Sequence, residues 1–502
     1  MAFVTGLLQV LYVLCIALVA AYACGTMYVL LVYLRYAHQE TPTPAPPDTD
    51  ELWPRVTVQL PLYNERYVAR RAIEAMAALD YPHDRLHIQI LDDSTDDTTE
   101  LIHNRIEQLK ADGVRIDLIH RASRQGYKAG ALANAFSQTD GEFMAIFDAD
   151  FIPAPDFLRR VIPHFLADGR IGLVQTRWGH LNAEDNALTH SQALAFDGHF
   201  GVEQFARSAD GIVLSFNGTG GVWRRTCIAE AGGWQTDTLT EDFDLSYRAQ
   251  IAGWRFKYVR DVVVPGEIPA QISVYKQQQA RWAKGSIQVM LKLIWPLVHS
   301  DLSIRNRIMG VMQMMQYAVQ MVVLLLLLLT PPMILVNGFN GLPLGLLSFL
   351  TLSAPLTYAL GQQALYKRDW LRRLTYLPVL LLLGMGMACN NGRAVFSGLI
   401  GQPGEFKRTP KFHMINGQPD WWIRSQYATL LGTPNIIGES LLGIYSVFGL
   451  CAAIVMMPSM IPSMIIYVSA CFLIVGWGLY DRWLLARSMP KVESEAIHQP
   501  GR

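Results

Sequence analysis

The chain has 502 residues, of which 51% are apolar and only 17% charged, and its 42 basic side chains balance 42 acidic ones. Charged residues make up about a quarter of ordinary soluble domains, so this shortfall and a mean hydropathy of +0.19 indicate membrane spans beside a soluble part. The neutral balance excludes a nucleic-acid binder working through bulk charge. The six cysteines (Cys15, Cys24, Cys227, Cys389, Cys451 and Cys471) are scattered without metal-ligand spacing, which excludes a disulfide scaffold and a structural zinc site.

Residues 3–34 carry no charge before Arg35, a run longer than the ~20 residues that cross a bilayer. It has no basic leader region and no small-residue cleavage pattern, so residues 1–36 are predicted to be an uncleaved helix rather than a signal peptide. The segment 37–54, with Thr41-Pro-Thr-Pro-Ala-Pro-Pro-Asp, is a stiff spacer. From there to residue 285 the pattern alternates. Strands are predicted at Val56–Leu60, Ile88–Leu91, Ile116–Ile119 and Phe143–Phe147, and helices at Val68–Leu79, Thr98–Leu109 and Lys128–Phe136. Such alternation gives a largely parallel sheet covered by helices, which binds ligands at the carboxyl ends of its strands.

The region 286–485 returns to apolar sequence. Ile308–Tyr366 has no charge and is divided at Asn337–Gly341, predicting spans near 312–336 and 343–365. Ser440–Tyr480 is also uncharged and divides at Pro458 and Pro462, predicting spans near 437–456 and 461–480. Arg35, Arg305, Arg307, Lys367, Arg368, Arg372, Arg373, Arg424, Arg482 and Arg487 flank one side, and the loops 337–341 and 457–461 have no Lys or Arg. Residues 37–305, 367–434 and the tail 486–502 are therefore expected in the cytoplasm. The segment 374–399 turns polar at Asn390-Asn391-Gly392-Arg393, and a crossing there would place the basic stretch 402–412 outside. It is expected to lie along the interface, giving five spans rather than six.

Three acidic clusters sit at strand ends or in loops. Asp92-Asp93-Ser94 closes the second strand, Asp148-Ala149-Asp150 closes the fourth, and Thr240-Glu241-Asp242 opens a helix. The first and third also read as helix caps. Carboxylates at i and i+2 of an extended segment project to one side and suit Mg²⁺ shared with phosphate oxygens. Gln278-Gln279-Ala280-Arg281-Trp282 offers donors for a diphosphate and a flat face for a sugar ring, though an interfacial Trp/Arg belt has the same composition.

In this order the four clusters resemble the signature of the processive family-2 glycosyltransferases: cellulose, hyaluronan and chitin synthases and plant cellulose-synthase-like enzymes. The resemblance is greatest to the plant-type mannan and xyloglucan-backbone synthases. It runs through Leu91-Asp-Asp-Ser-Thr-Asp, Gly126-Tyr-Lys-Ala-Gly-Ala-Leu, Phe147-Asp-Ala-Asp-Phe, Phe216-Asn-Gly-Thr-Gly-Gly-Val-Trp-Arg, Thr240-Glu-Asp-Phe-Asp-Leu and Gly404-Glu-Phe-Lys-Arg-Thr-Pro-Lys. It implies a GT-A domain beside a helical membrane bundle, and an inverting transfer from UDP-glucose or GDP-mannose to a growing β-linked glycan. Asp92 would hold the nucleotide base and Asp93 its surroundings, and Lys128 would meet the diphosphate. Asp148 and Asp150 would bind Mg²⁺ or Mn²⁺, and Asp242 would be the general base. Gln278, Arg281 and Trp282 would close the diphosphate and acceptor side, where Asn217, Gly218, Thr219, Trp223 and Glu241 would meet the acceptor. Phe406, Thr409 and Lys411 match the gating loop of cellulose synthase, at about 402–412. Asn217 stands where cellulose synthase has Cys, and Pro410 interrupts the gating loop; both departures are plant-like.

The alternative is a single transfer to a lipid, as in ceramide glucosyltransferase, which would need fewer spans and no gating loop. A dead transferase domain in a transporter would be expected to lose carboxylates that are all present here. The resemblance implies an integral membrane enzyme of a bacterial inner membrane, or of Golgi or plasma membrane, and leaves accessory export subunits open. Residues 484–502 are too few for a regulatory domain. His190 and His199 are expected to pack structurally or on the acceptor side. Gln313, Gln316 and Gln320, at helical spacing, fit interhelical hydrogen bonds or a channel face equally. Trp178, Trp223, Trp234 and Trp254 could each be core, Trp223 having the best functional claim because it follows the acceptor motif, and the leucine run 324–329 reads as lipid-facing.

Overall fold

The computed structural model describes residues 2–39, 43–340, 342, 351–402, 404 and 436–488. The strands are β1 (Val56–Leu62), β2 (Leu86–Asp92), β3 (Ile116–His120), β4 (Phe143–Ile146), β5 (Ile171–His180), β6 (Gly221–Arg224) and β7 (Arg255–Gly266). They form one sheet in the order β3-β2-β1-β4-β6-β5-β7. β1 to β4 pair in parallel, β6 runs antiparallel between β4 and β5, and β7 is parallel to β5. The sheet is thus mixed and mostly parallel.

Helices of this domain are α2 (Ala69–Ala77), α3 (Thr98–Ala111), α4 (Tyr127–Phe136), α5 (Phe157–Ala167), α6 (Ala187–Gly198), α7 (Phe205–Ala209), α8 (Arg225–Glu230) and α9 (Glu241–Ile251), all following the N-terminal α1 (Ala2–Tyr36). β1 is buried on both faces, as a central parallel strand is, with Val56, Val58 and Leu60 in the core. α2 buries Ala69, Ala72, Ile73 and Met76, the i, i+3, i+4, i+7 stripe that fixes a helix on a sheet. Buried amides cross the strands, Gln59 Nε2 donating to Gln89 Oε1 at 3.0 Å.

Beyond the domain lie α10 (Ile272–Val298), α11 (Ile304–Met314), α12 (Ala318–Leu335), α13 (Ser353–Leu365), α14 (Trp370–Arg373), α15 (Leu377–Gly386), α16 (Ala388–Leu399), α17 (Ile437–Met456) and α18 (Ile461–Ser488). Among the described residues four stretches are long and apolar enough to cross a membrane: Phe3–Tyr36, Ala318–Leu335, Ile437–Met456 and Pro458–Ala486. α1 leaves Phe3, Val4 and Val10 exposed near its start, whereas Val29, Leu30 and Tyr33 near its end pack on Phe200, Phe205 and Val289.

The expected span 312–336 starts later, because a turn at 315–317 separates α11 from α12. Gln313 belongs to α11 and bonds the soluble domain, accepting from Tyr247 Oη at 2.8 Å and donating to Ser215 Oγ at 3.3 Å. Of the expected span 343–365, residues 343–350 lie outside the described set. α13 packs on α6 through Gly361, where a Cβ would stand 2.8 Å from Asp197 O and Gly198 Cα. The expected interfacial helix 374–399 appears as a helix pair, Trp370–Gly386 and Ala388–Leu399, bent by 41° and together apolar enough for a broken span or a re-entrant loop. Gly386 packs against Ala470 and Ile474 of α18.

Candidate active site

The carboxyl ends of β1, β4, β5 and β7, the first turns of α4 and α9 and the second and third turns of α10 enclose a cleft of about 1200 Å³, counting its open mouth. Of the residues predicted from sequence, Asp93, Lys128, Asp148, Asp150, Asn217, Gly218, Glu241, Asp242, Gln278, Arg281 and Trp282 all line it.

The neighbours Asp92 and Asp93 take different places. Asp93 faces the cleft, and Arg121 Nε donates to its Oδ1 at 2.7 Å. Asp92 is fully buried below it. Its Oδ1 accepts from Ser94 N at 3.0 Å, and its Oδ2 from Thr99 Oγ1 at 2.6 Å with His120 Nδ1 2.9 Å away. This ties the ends of β2, α3 and β3 together. Asp92, expected at the base, thus sits under the wall that carries Asp93.

Asp148 and Asp150 lie past the end of β4 in a turn closed by Phe151 N donating to Asp148 O at 3.0 Å, not in the extended pleat expected from their spacing. The turn still brings both into the cleft. The Asp148 side chain is 38% exposed, whereas Asp150 is buried and accepts from Glu267 N at 3.2 Å. Two hard oxygen donors at differing depth suit a divalent cation that takes its remaining ligands from phosphate. Among the described residues no cluster of three or more His, Cys, Asp or Glu forms a self-sufficient metal site, and a cation shared with a diphosphate needs none.

Gly218 is where the charged groups meet. Lys128 Nζ donates to Gly218 O at 2.8 Å and to Asp148 Oδ1 at 2.5 Å. A Cβ on Gly218, whose φ is +84°, would stand 3.1 Å from Asp242 Oδ2 and 3.8 Å from Lys128 Nζ. Burial lowers the affinity of Lys128 for its proton, but Asp148, Glu241 and Asp242 outweigh it and hold the ammonium above its ordinary value. Burial, with Glu241 alongside, pushes the Asp242 carboxyl up to about 7 against the pull of Lys128 and Arg281. A base poised near neutrality suits proton abstraction at physiological pH.

Asn217 is held by a single π-helical stretch, His199–Gln204. Gln204 Nε2 donates to Asn217 Oδ1 at 2.6 Å, Asn217 Nδ2 lies 3.1 Å from His199 Nε2, and His199 Nδ1 lies 2.9 Å from Glu203 Oε2. His199 therefore packs against Asn217, while His190 stacks on Tyr376 at 4.1 Å. Thr219 is buried, accepting Asp148 N on its Oγ1 at 2.9 Å, and so shapes the loop from beneath. Trp223, expected on the acceptor side, points the other way from the short β6 into the core, edge-on to Phe216 and Phe256. Phe406, Thr409 and Lys411 lie outside the described residues.

Sequence reasoning missed several lining residues. Trp178 and His180 end β5, Tyr63 follows β1, and Phe196 and Arg124 complete the walls. Trp178 Nε1 donates to Thr219 O at 3.2 Å, and Phe196 is edge-on to Trp282 at 6.2 Å. Arg124 lies over the Tyr63 ring at 3.4 Å beside Asp93. Applied to β5 and β1, the strand-end rule finds Trp178, His180 and Tyr63.

A cleft at the carboxyl ends of a mixed sheet, with a paired-carboxylate turn and an opposed half-buried carboxylate, defines a GT-A nucleotide-sugar transferase domain. Residues 54–285 match the family model described as "Glycosyltransferase like family 2"; this segment is a family-2 glycosyltransferase domain. The chain is 42% identical over 265 residues to glucomannan 4-beta-mannosyltransferase 1 of Oryza sativa subsp. japonica, covering 51% of each. It is 38% identical over 311 residues to glucomannan 4-beta-mannosyltransferase 2 of Arabidopsis thaliana, covering 59% of this chain and 58% of that one. The chain thus spans about half the length of the curated relatives it matches. A solved mannosyltransferase from Pyrobaculum calidifontis, in complex with GDP-Man and Mn²⁺, shares the fold with a TM-score of 0.55 at 23% identity, over 78% of this chain and 100% of that one.

Proposed function

We propose that the protein is a membrane-embedded inverting β-hexosyltransferase that elongates a β-linked polysaccharide, of the β-1,4-glucan or mannan type, and passes it across the bilayer. The observation that carries this is the meeting of base, ammonium and diphosphate-side carboxylate around Gly218. The names of the relatives and the donor of the P. calidifontis enzyme favour GDP-mannose over UDP-glucose. The basic flanks support a cytoplasmic side for the 55–285 domain, the loop 367–434 and the tail.

The acceptor hydroxyl oxygen attacks the anomeric carbon, and the bond from that carbon to the diphosphate oxygen breaks, so an α-linked donor gives a β-linked product. Asp242 Oδ2 takes the hydroxyl proton, and the negative charge leaves on the nucleoside diphosphate. Lys128 meets that charge as a point charge, and Gln278 and Arg281 donate to it. Asp148 and Asp150 would hold Mg²⁺ or Mn²⁺, which when bound offsets the charge of the leaving group. Asp93 and the Tyr63–Arg124 stack face the base, Trp282, Phe196 and Trp178 offer apolar faces to sugar rings, and Asn217, Gly218 and Glu241 border the acceptor. The loop bearing Phe406, Thr409 and Lys411 is proposed to cover the bound donor.

The test is the purified full chain in lipid nanodiscs with Mn²⁺ and radiolabelled GDP-mannose or UDP-glucose, followed by linkage analysis of the product. A β-linked polymer is the expected result. A single sugar on lipid would make it a lipid glycosyltransferase instead, and transfer of neither sugar would refute the proposal.

A further inference from the structure

α10 delivers Gln278, Arg281 and Trp282 to the cleft, yet its first turn is fastened from the other side of the molecule. Lys276 Nζ donates to Glu439 Oε1 of α17 at 2.6 Å, with the two side chains 8% and 4% exposed. Ser273 N donates to Asp481 Oδ2 of α18 at 3.4 Å, and Asp481 is also buried. The N-cap residue, Gln271, makes no side-chain cap of its own. The carboxylate that meets the unpaired N–H groups and positive end of α10 therefore comes from α18. Asn390 Nδ2 of α16 adds a bond to Lys276 O at 3.0 Å.

Helical geometry separates these contacts from the catalytic side. At ~100° per residue, Gln278, Arg281 and Trp282 lie roughly 200°, 140° and 240° around the axis from Lys276. The anchored face and the cleft face are opposite sides of one rod. A buried ion pair contributes little net stability over an apolar pair of equal volume, but it fixes rotation and axial register where apolar contact would allow sliding.

We infer that Glu439 and Asp481 are positioning residues for the transfer reaction, holding α10 in the register that sets Gln278, Arg281 and Trp282 against the diphosphate and acceptor side of the cleft. The inference rests on the proposed transferase function. It makes the α17–α18 pair part of the catalytic apparatus without touching substrate, so a shift of that pair in the membrane changes turnover.

The test uses the full chain in nanodiscs, following nucleoside-diphosphate release with GDP-mannose and Mn²⁺ in Glu439→Gln, Asp481→Asn and the exchanged pair Lys276→Glu/Glu439→Lys. The double variant Lys276→Gln/Glu439→Gln removes both charges and guards against unfolding by an uncompensated ion. Expected are a fall in kcat of about 10- to 100-fold, the scale of a small misplacement of catalytic groups, with donor KM within about twofold of wild type, and partial recovery in the exchanged pair. Folding is checked by the thermal midpoint. Folded variants with wild-type kcat would overturn the inference and leave the transferase function standing, as would a loss confined to donor KM. A wild-type chain that transfers neither sugar would remove both.

Discussion

Replacing Gly218 by alanine puts a methyl carbon 3.1 Å from Asp242 Oδ2 and 3.8 Å from Lys128 Nζ, at a backbone φ of +84°. Two costs add. The left-handed conformation costs an L-residue roughly 1–2 kcal/mol, and the carboxylate must retreat by a few tenths of an ångström from the place where an acceptor hydroxyl has to reach it. If the strain is relieved by the loop leaving its catalytic conformation, 1–2 kcal/mol corresponds to a roughly 5- to 30-fold smaller competent population, before any loss from misplacing the base. Turnover should therefore fall by at least about fivefold, and nucleotide affinity less, because Asp93 and Arg124 are untouched. Nucleoside-diphosphate release at saturating donor, beside calorimetric nucleotide affinity, measures both. Turnover within twofold of wild type would refute the convergence at Gly218 as the reacting point, and a loss confined to affinity would reassign the loop to donor binding.

Asp242→Asn keeps the shape but takes no proton, so release should drop by about 10²–10⁴-fold with nucleotide affinity retained; unchanged release removes Asp242 from the mechanism. Because burial raises the Asp242 carboxyl to about 7 in the free enzyme and only its deprotonated form abstracts a proton, kcat/KM should fall as pH drops below about 7 and level off above it. A profile flat to pH 5 contradicts that assignment. Asp150→Asn removes a charged cation ligand and should lower activity by orders of magnitude with the fold intact; normal turnover of this variant in the presence of chelator refutes the cation site. A cysteine at Gly338 should react only from the exoplasmic side and one at Gln402 only from the cytoplasm, and outside labelling of Gln402 would make 374–399 a crossing.

The first four strands were legible in the sequence because each is a short β-rich apolar run punctuated by an amphipathic helix. The antiparallel β6 was not. Gly-Val-Trp-Arg is too short to show alternation, and what holds it is pairing with β4 and β5, remote in sequence. The same shortness hid which way Trp223 points. Composition found the acidic clusters but could not tell which of two adjacent aspartates faces the cleft, since the turn after β2 and the partners Thr99 and His120 decide it. Nor could spacing reveal that the Asp148–Asp150 pair is presented by a turn, or that a π-helical stretch gathers His199, Glu203 and Gln204 around Asn217. α10 was legible by its motif alone, because its anchors come from the far end of the chain.

That last distance has a consequence in time. Ser273 and Asp481 are 208 residues apart, so during synthesis the strands, the paired aspartates and Asp242 all emerge long before the cap of α10 exists. At ~5–20 residues per second, the interval is on the order of ten to forty seconds. Over that interval a nascent chain carries a nearly complete cleft on a helix whose first turn is unfastened. If the proposed transfer depends on that cap, catalytic order would arrive with α18, tying the onset of sugar transfer to the folding of the helices through which the product would have to leave.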